Sequence, residues 1–462
     1  MPAGTAMKTA SPPTDRIDVQ ALRVGMYVHL DIGWMAHPFP LSSFRITSPA
    51  QLATIRSLGL RSVRWSPQQS DPEGADTTPA TTLPGPLPAR AGDAANDSGL
   101  GDADALDTVP YALPADDNVV DAASHARQRA QAERQRKLAR QRAAEQRCAR
   151  QYVEAARTCK HTLELVEGMP LEARAQAEAL SRAIVDKMIG EQDLCIRMLV
   201  VGAGDKASMH AMNVAVIALL MGRCFGFAEE EMQDLGVGAM LHDVGKIDLP
   251  PRLRHREDNF SPNELRVYQE HVEAGLVQAR RMGLSAGATA VIAQHHEHAD
   301  GTGFPEKLNS DRMMMAARIV ALVNRYDNLC NPHLLARAMT PHESLSLLFA
   351  QGRSKYDTSI LGAFIKMMGV YPPGSLVQLT DDRYALVVAV NSTRPLKPSV
   401  LVHDPATPPD EALVLNLETA TGLGIRRSVR AQQTPPTALD YLAPSTRVTY
   451  YFEPSNAADE DE

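Results

Sequence analysis

The sequence has few cysteines and no long hydrophobic run. Its five cysteines form no CxxC pair, and their odd number argues against a disulfide framework and fits a reducing compartment. The longest apolar run, VAVIALLMG at 214–222, is ended by Arg223. It is too short to span a bilayer, and we interpret it as a core helix. The N-terminus lacks the apolar stretch of a signal peptide. We therefore expect a cytoplasmic protein with no membrane span.

The charge balance also excludes some classes of partner. The formal net charge of −8 gives no general reason to expect nucleic-acid binding. Hydrophobic residues make up 44% and charged residues 22%, as in ordinary globular proteins. A chain of 462 residues is too long for one ordinary core, so we expect two or three domains.

The first region, residues 14–66, is predicted to be a small α+β domain. Ser48 and Pro49 are typical of a helix start, and Gly59 ends that helix. Trp34 and Phe39 either fill a small core or bind a partner. The strand-like segments are Val24–Leu30, Phe44–Thr47 and Leu60–Trp65.

Two connecting segments follow. Residues 67–123 are rich in Pro, Ala, Gly, Ser and Asp, and we predict a disordered acidic linker because such a segment cannot bury enough apolar surface. Residues 124–160 form a predicted basic helix, rich in Arg, Gln, Ala and Glu. We interpret it as a solvated connector, with contact to RNA or an acidic partner as the alternative.

Residues 161–372 are predicted to be all-α and residues 373–455 to be a small β domain. The protein is therefore expected to be mainly α, with small domains on both sides of the helical one. After YPPGS the apolar period changes from helical to two, as in SLVQLT and YALVVAVN. The acidic end, NAADEDE, is expected to be disordered. The predicted helices are Ser208–Phe225, Glu229–Val244, Ser261–Met282, Ala286–His298 and Met313–Asn328.

Five histidines and one aspartate of these helices form a pattern. One histidine on an apolar face is more often a hydrogen-bonded core residue than a ligand, but so many polar rings on helices that must pack together favour a metal site. The set is His210, His242, Asp243, His271, His295 and His296.

The same residues carry a resemblance. HDVGK followed by HHEHADGTGFP resembles the HD-GYP family of the HD phosphohydrolase superfamily, over roughly residues 195–370. VGMYVHLDIGWMAHPF resembles the small domain of unknown function often found ahead of HD-GYP domains. The resemblance implies a bacterial, metal-dependent phosphodiesterase that hydrolyses the second messenger cyclic di-GMP to linear pGpG, GMP or both. It also implies two divalent metals, iron or manganese, and three in some members.

By motif position, the resemblance implies a role for each residue. His210, His242 and Asp243 would hold one metal, and His271, His295 and His296 the other, with Asp243 bridging. A carboxylate can bridge two metals about 3.5–4 Å apart, whereas an imidazole cannot. Lys246 lies one helical turn past Asp243 and would face the substrate phosphate, unless it is a surface lysine. Asp243 and Lys246 are therefore the expected catalytic pair.

The segment ADGTGFP is a predicted loop that binds substrate. Gly301 and Gly303 allow close approach of the backbone to a ligand. Phe304 stands where the family has tyrosine, so the aromatic face remains without the hydroxyl group. Asp300 either orients a ligand histidine or caps the turn. The predicted substrate-binding residues are Lys246, Asp300, Gly301, Gly303 and Phe304.

The chain departs from the family pattern in three places. Asn324 occupies the position of the last metal-ligand aspartate, and its amide could ligate without charge; Asp327, one turn on, could substitute or hydrogen-bond inside the protein. His333 and Arg337 are the nearest cations where the family often has a basic cluster. Lys206 replaces the glutamate of three-metal members, which predicts two metals.

These departures leave alternatives open. The chain is predicted to be a working phosphodiesterase, or else a degenerate domain that binds cyclic di-GMP or a partner such as a diguanylate cyclase without turnover. A third reading is an HD hydrolase acting on another nucleotide, which the His295–His296 pair and the GTGFP loop disfavour. The sequence is compatible with a homodimer in each of these cases.

Overall fold

The structure, a computed structural model, describes residues 15–31, 43–70, 117–191, 193–200, 204–255, 260–392 and 394–455. The predictions for Trp34 and Phe39, for most of the acidic linker and for the acidic C-terminus lie outside these residues. The chain divides into two compact units, one of which ends at Arg134 while the other continues from Gln135 to the C-terminus.

The first unit contains a four-stranded antiparallel sheet, so its predicted α+β composition is confirmed. The strands occur in the order β1-β4-β2-β3. Ser48 caps the helix as predicted, because its side chain accepts a hydrogen bond from the backbone N–H of Gln51. The elements are β1 (Asp15–Asp18), β2 (Tyr27–His29), β3 (Ser43–Arg45), α1 (Pro49–Ser57) and β4 (Ser62–Trp65). The sequence analysis had missed β1.

The basic segment is helical, as α2 (Asp117–Leu165). Its later part is not simply solvated. Leu138, Cys148, Tyr152 and Cys159 are buried, and their spacing places them on one face of the helix. The Tyr152 ring meets the ring of Tyr451 edge-on at 6.0 Å. This part of α2 therefore packs against the C-terminal sheet.

The second unit is mainly helical, in agreement with the predicted fold class. The long helix of the apolar run is α4, and nearly all of its residues from Ala211 to Gly222 are buried. Of the described helices, it is the single one long and apolar enough to cross a membrane, but most of it lies inside the protein. The helices are α3 (Pro170–Ile189), α4 (Lys206–Cys224), α5 (Glu229–Leu241), α6 (Pro262–Gln269), α7 (His271–Met282), α8 (Ala286–Gln294), α9 (Met315–Cys330), α10 (Pro341–Gln351), α11 (Thr358–Met368) and α12 (Pro436–Leu442).

Three of the predicted helices are shorter than expected. The segment predicted as one helix from Ser261 to Met282 is two helices, α6 and α7, which meet at Glu270. The helices predicted to reach Val244 and His298 end at Leu241 and Gln294. In each case the break falls next to a histidine, and the hydrogen bonds of these histidines, described below, give the reason.

The second sheet draws strands from both the helical and the C-terminal regions. It has seven strands, and its main path is β10-β6-β7-β5-β11, with β8 and β9 continuing from β7. The strand β5 lies in the region predicted to be all-α, and that prediction was wrong there. Its first five residues, LCIRM, alternate between buried and partly exposed, as in a strand. The strands are β5 (Leu194–Leu199), β6 (Leu376–Leu379), β7 (Tyr384–Asn391), β8 (Ser399–Val402), β9 (Val414–Asn416), β10 (Ile425–Ser428) and β11 (Thr449–Pro454).

A close contact between two backbones brings the middle of the chain against α7. The 3₁₀ turn Val244–Asp248 directly follows His242 and Asp243. A Cβ atom on Gly245 would lie 2.0 Å from the carbonyl oxygen of His271 and 2.2 Å from the backbone nitrogen of Gly275. Only glycine allows this approach, and it places Asp243 beside the start of α7.

We predict that Gly245→Ala destabilises the second unit by more than about 2 kcal/mol, because the new methyl group meets backbone atoms that cannot rotate away. Urea unfolding followed by circular dichroism measures the change. The matched control is Gly362→Ala in α11, where an added Cβ meets nothing within 4 Å. There we expect no loss, or a gain of up to about 1 kcal/mol. Equal unfolding midpoints for the two variants would contradict the assigned contact.

Candidate metal centre

The carboxylate of Asp243 lies between two pairs of imidazoles. Its Oδ2 atom is 3.8 Å from Nε2 of His210 and 3.5 Å from Nε2 of His242. Its Oδ1 atom is 3.5 Å from Nε2 of His271 and 3.6 Å from Nε2 of His295. Two donor atoms that each lie about 2.1 Å from one ion are about 3.0–3.5 Å apart. The spacing therefore fits one ion at each oxygen of Asp243.

Three of the rings are held in the same way. Nδ1 of His242, His271 and His295 lies 2.7, 2.6 and 2.8 Å from the carbonyl oxygen three residues earlier. Because a carbonyl can only accept, each Nδ1 carries the proton and donates it, which leaves the lone pair on Nε2. These contacts also explain why α5 and α8 are shorter than predicted. In each of these two helices, a ring nitrogen donates to a carbonyl group near the helix end.

The facing Nε2 atoms show that these rings fit a metal. Nε2 of His210 lies 3.2 Å from Nε2 of His242, and Nε2 of His271 lies 3.3 Å from Nε2 of His295. Where Nδ1 holds the ring proton, two such atoms present only lone pairs to each other. That arrangement repels unless a cation lies between them.

Two buried polar atoms support the same conclusion. Oδ1 of Asp243 and Nε2 of His296 are buried and have no hydrogen-bond partner among the described residues. A buried acceptor without a partner costs about 1–3 kcal/mol, so such atoms are rare unless a ligand satisfies them. Donor atoms of the ligand set lie within 4.8 Å of one another in two groups, His210, His242 and Asp243, and Asp243, His271, His295 and His296.

Burial keeps three of the histidines neutral. It lowers the pKa of His242 and of His296 well below the ordinary value, and that of His271 to about 3. Burial by itself would raise the pKa of the Asp243 carboxyl, but Lys246 and the neighbouring imidazoles outweigh it and hold that pKa well below its ordinary value. Neutral imidazole and ionised carboxylate are the forms in which these groups bind metals.

Lys246 is not a surface lysine. Its Nζ atom donates to Oδ2 of Asp243 at 2.5 Å and lies 5.5 Å from the centre of the Tyr268 ring. Burial by itself would lower the pKa of Lys246, but Asp243 and Tyr268 outweigh it and raise that pKa. The ammonium group therefore stays charged beside the carboxylate, on the face predicted from its spacing.

Asp327 orients the ring of His210, which is not held by a carbonyl group. Nδ1 of His210 donates to Oδ2 of Asp327 at 2.6 Å, and the carboxylate is fully buried. Oδ1 of Asp327 accepts from the side-chain amides of Asn213 at 2.8 Å and Asn331 at 2.9 Å. Of the two roles considered for Asp327, the structure shows hydrogen bonding inside the protein. A carboxylate behind a ligand histidine raises the basicity of its other nitrogen.

Asn324 lies near the second group of histidines. It lines a cleft with His295 and His296, and its side chain is buried. Its Oδ1 atom accepts a hydrogen bond from the side-chain amide of Asn328 at 2.5 Å. The oxygen that could ligate a metal therefore already has a partner.

The glycine-rich loop is organised by the histidine pair and by Glu297. Phe304 stacks on His296, with ring centres 4.6 Å apart, and its N–H donates to the carbonyl of His296. A Cβ atom on Gly303 would lie 2.4 Å from Cα of Glu297, so only glycine fits there. The buried Glu297 carboxylate, which the sequence analysis had missed, accepts from the backbone N–H groups of Glu306 and Leu308.

The other two loop residues lie farther from the rings. Asp300 accepts from the N–H and hydroxyl groups of Thr302, which is the turn-capping role, and it is exposed. Gly301 has a positive φ of 74°. Neither has a described contact with the five histidines of the candidate metal centre, so their part in binding substrate remains a prediction.

Two clefts open beside the rings. One, of about 700 Å³, is lined by His295, His296 and Phe304 and also by Arg337. The other, of about 550 Å³, is lined by His210 and Asp243 and also by Lys206. Lys246, Asn328 and the stacked rings of His255 and His333 line both clefts. The cations singled out in the sequence therefore all lie near the site.

The chain is similar to known proteins in both its N-terminal region and its helical region. Residues 194–360 match the family model described as HD domain, and residues 14–178 match a domain of unknown function, DUF3391. The chain is 24% identical over 408 residues to the cyclic di-GMP phosphodiesterase PA4108 of Pseudomonas aeruginosa, with 84% of each chain covered. It is 31% identical over 122 residues to 3'3'-cGAMP-specific phosphodiesterase 2 of Vibrio cholerae, covering 26% of this chain and 23% of that one. Among solved structures, Bd1817, an HDG"Y"P protein of Bdellovibrio bacteriovorus, aligns with a TM-score of 0.38 at 13% identity, over 76% of this chain and 98% of that one.

The chain carries an HD domain, with a DUF3391 domain ahead of it. The resemblance stated from its histidine motifs is thereby confirmed. The same matches confirm that it is an enzyme of the phosphodiesterase class.

We predict that Asp327→Asn weakens metal binding at His210 by about 10- to 100-fold, since the substituted amide keeps the shape but not the charge behind the ring. Titration of metal-free protein with Mn²⁺, followed by elemental analysis after dialysis, measures the affinity and the number of ions. The control is Asp205→Asn, which caps the helix of His210 and should be tolerated because asparagine caps equally well. Unchanged binding in Asp327→Asn would refute the orienting role.

Proposed function

We propose that the chain hydrolyses cyclic di-GMP to linear pGpG, GMP or both, with two divalent metal ions, iron or manganese. The observation that carries the proposal is the Asp243 carboxylate, whose two oxygens each face a pair of Nε2 lone pairs while Lys246 contacts one of them. The metal ligands would be His210, His242, Asp243, His271, His295 and His296, with Asn324 beside the second group.

The chain's own residues suit a phosphodiester substrate. Ions held there would supply Lewis-acid activation of the phosphodiester and of a water molecule. Lys246, with its high pKa, keeps a positive charge next to the position where negative charge develops on phosphoryl oxygens. Phe304 fixes the plane of His296 by stacking, and Gly303 lets the loop close tightly over the backbone at Glu297.

The two adjacent clefts suit a substrate with two bases. A cyclic dinucleotide carries two bases and two phosphodiester groups on one ring. The clefts of about 700 and 550 Å³ meet at Lys246, so that one nucleotide can enter each while a phosphate lies over Asp243. Cyclic di-GMP is favoured over 3'3'-cGAMP because the relative that aligns over most of its length, PA4108, is a cyclic di-GMP phosphodiesterase. Such a messenger would place the protein in the bacterial cytoplasm.

A second candidate function is binding without turnover. The hydrogen bond from Asn328 occupies the amide oxygen of Asn324, at the position where the family supplies a charged ligand. A chain that holds its second ion weakly could still bind the nucleotide and pass the signal to a partner such as a diguanylate cyclase.

We expect purified protein, loaded anaerobically with iron or manganese, to hydrolyse cyclic di-GMP. Chromatography separates the linear and mononucleotide products, and 3'3'-cGAMP is tested beside it. Asp243→Ala and His242→Ala should lose activity and bound metal together. The control His161→Ala removes a histidine of α2 that is 58% exposed and should change neither. Nucleotide binding without hydrolysis, with two ions present, would support the receptor function instead.

We expect Asn324→Asp to keep or raise the rate of hydrolysis and to strengthen metal binding, because a carboxylate adds a charged ligand at the second group. Steady-state kinetics at fixed metal concentration measure the rate. Asn416→Asp, on the exposed end of β9, adds the same charge far from the histidines and is the control. A sharp fall in activity for Asn324→Asp would show that this position is not a ligand position.

A further inference from the structure

The start of strand β11 is fixed to the helices of the metal centre. The backbone N–H of Val448 donates to Oδ1 of Asn331 at 2.8 Å. The carbonyl of Val448 accepts from the side-chain amides of Asn213 at 2.9 Å and Asn331 at 2.8 Å. Three hydrogen bonds thus hold one residue of the C-terminal sheet against helix α4 and the end of α9.

The same two amides hold the carboxylate that orients His210. Asn213 and Asn331 each donate to Oδ1 of Asp327, whose other oxygen accepts from His210. The backbone at residue 448 is therefore connected to a metal-ligand ring through one layer of buried side chains. The residue before it, Arg447, has its Cα position set by this network.

Arg447 lies beside the smaller cleft with a half-buried side chain and no partner. The cleft is lined by Arg447, His210, Asp243 and Lys246. Within the described part of the chain, Arg447 makes no side-chain hydrogen bond or ion pair. A guanidinium group beside a cleft, with no anion paired to it, keeps its hydrogen-bond donors available for an anionic ligand.

The acidic groups of this cleft are all engaged elsewhere. Asp205 caps α4 through the N–H of Ser208, Asp243 contacts Lys246, and Asp327 contacts His210. Lys206, at the other side of the cleft, is likewise without a partner among the described residues. Two unpaired cations in a cleft whose carboxylates each already contact another side chain or a helix N-terminus favour an anionic ligand.

We propose that Arg447 binds a phosphodiester group of the cyclic dinucleotide, so that the C-terminal β region supplies part of the substrate site. This proposal rests on the proposed function. A guanidinium group can donate two parallel hydrogen bonds to the two free oxygens of a phosphodiester. Arg447 would thus provide the charge that the family often places shortly after the Asp327 position, where this chain has His333.

The test is equilibrium binding of cyclic di-GMP to metal-loaded protein by calorimetry, together with steady-state kinetics. Arg447→Ala should bind the nucleotide about 10- to 100-fold more weakly, with a raised KM and a smaller change in kcat. Arg447→Lys should recover part of the affinity, because one hydrogen bond and the charge remain. The affinity of Arg447→Ala should also fall less steeply with added salt than that of the unmodified protein.

Two controls separate substrate contact from a structural role. Arg426→Ala removes an exposed arginine of β10 that pairs with Asp382, and it should leave binding unchanged. The proposal requires that Arg447→Ala keep the same metal content as the unmodified protein. If the variant lost metal together with affinity, the proposal would be overturned in favour of a role in positioning Val448. Equal affinity of Arg447→Ala and the unmodified protein would also overturn it, with the phosphodiesterase function intact. An unmodified protein that neither binds nor hydrolyses the nucleotide would refute the proposed function, and this proposal with it.

Discussion

The site depends on buried hydrogen-bond acceptors that face one another with almost no donor between them. Three ring nitrogens give their protons to carbonyl groups and a fourth gives its proton to Asp327, so four Nε2 lone pairs point at one carboxylate. Apart from Lys246, the described residues around this point supply no hydrogen-bond donor to it. An arrangement of acceptors facing acceptors inside a protein is stable only with cations, and the chain is folded around that need.

The helix ends follow from the same constraint. A histidine in the middle of a helix finds the nearby carbonyls already bonded within the helix, whereas one at a helix end can use a carbonyl of the last turn. His242 and His295 are placed in this way at the ends of α5 and α8, and His271 follows α6 at the start of α7. The close approach at Gly245 then brings these ends together, because it removes the side chain that would separate the Asp243 turn from α7.

Short sequence patterns predicted those features that neighbouring residues form among themselves. The HD and HH pairs, the spacing of Lys246, the cap at Ser48 and most of the C-terminal strands follow from neighbouring residues. Contacts between distant residues have no such signal: Asn213 and Val448 are more than 200 residues apart, and nothing near either of them indicates the other. For the same reason β5 was taken as part of a helical region, since its partner β7 comes about 190 residues later and its partner β11 about 250 residues later. The orienting role of Asp327 was one of two open alternatives, because its distance to His210 depends on how α4 and α9 cross.

The neutral side chain of Asn324 affects both the binding of metal and the electrostatic field at the two clefts. One carboxylate, Asp243, faces all the histidines, and a second, Asp327, acts behind His210; Asn324 adds none. With fewer negative ligands, a pair of dications would keep more of its positive charge than in a site with a further aspartate, so the ions would be held less tightly. The same excess charge, together with Lys246, Lys206 and Arg447 around the clefts, would attract the proposed dianionic ligand more strongly. An asparagine at this position would therefore weaken the hold on metal and strengthen the field at the clefts, and the balance of these two effects would separate the two proposed functions.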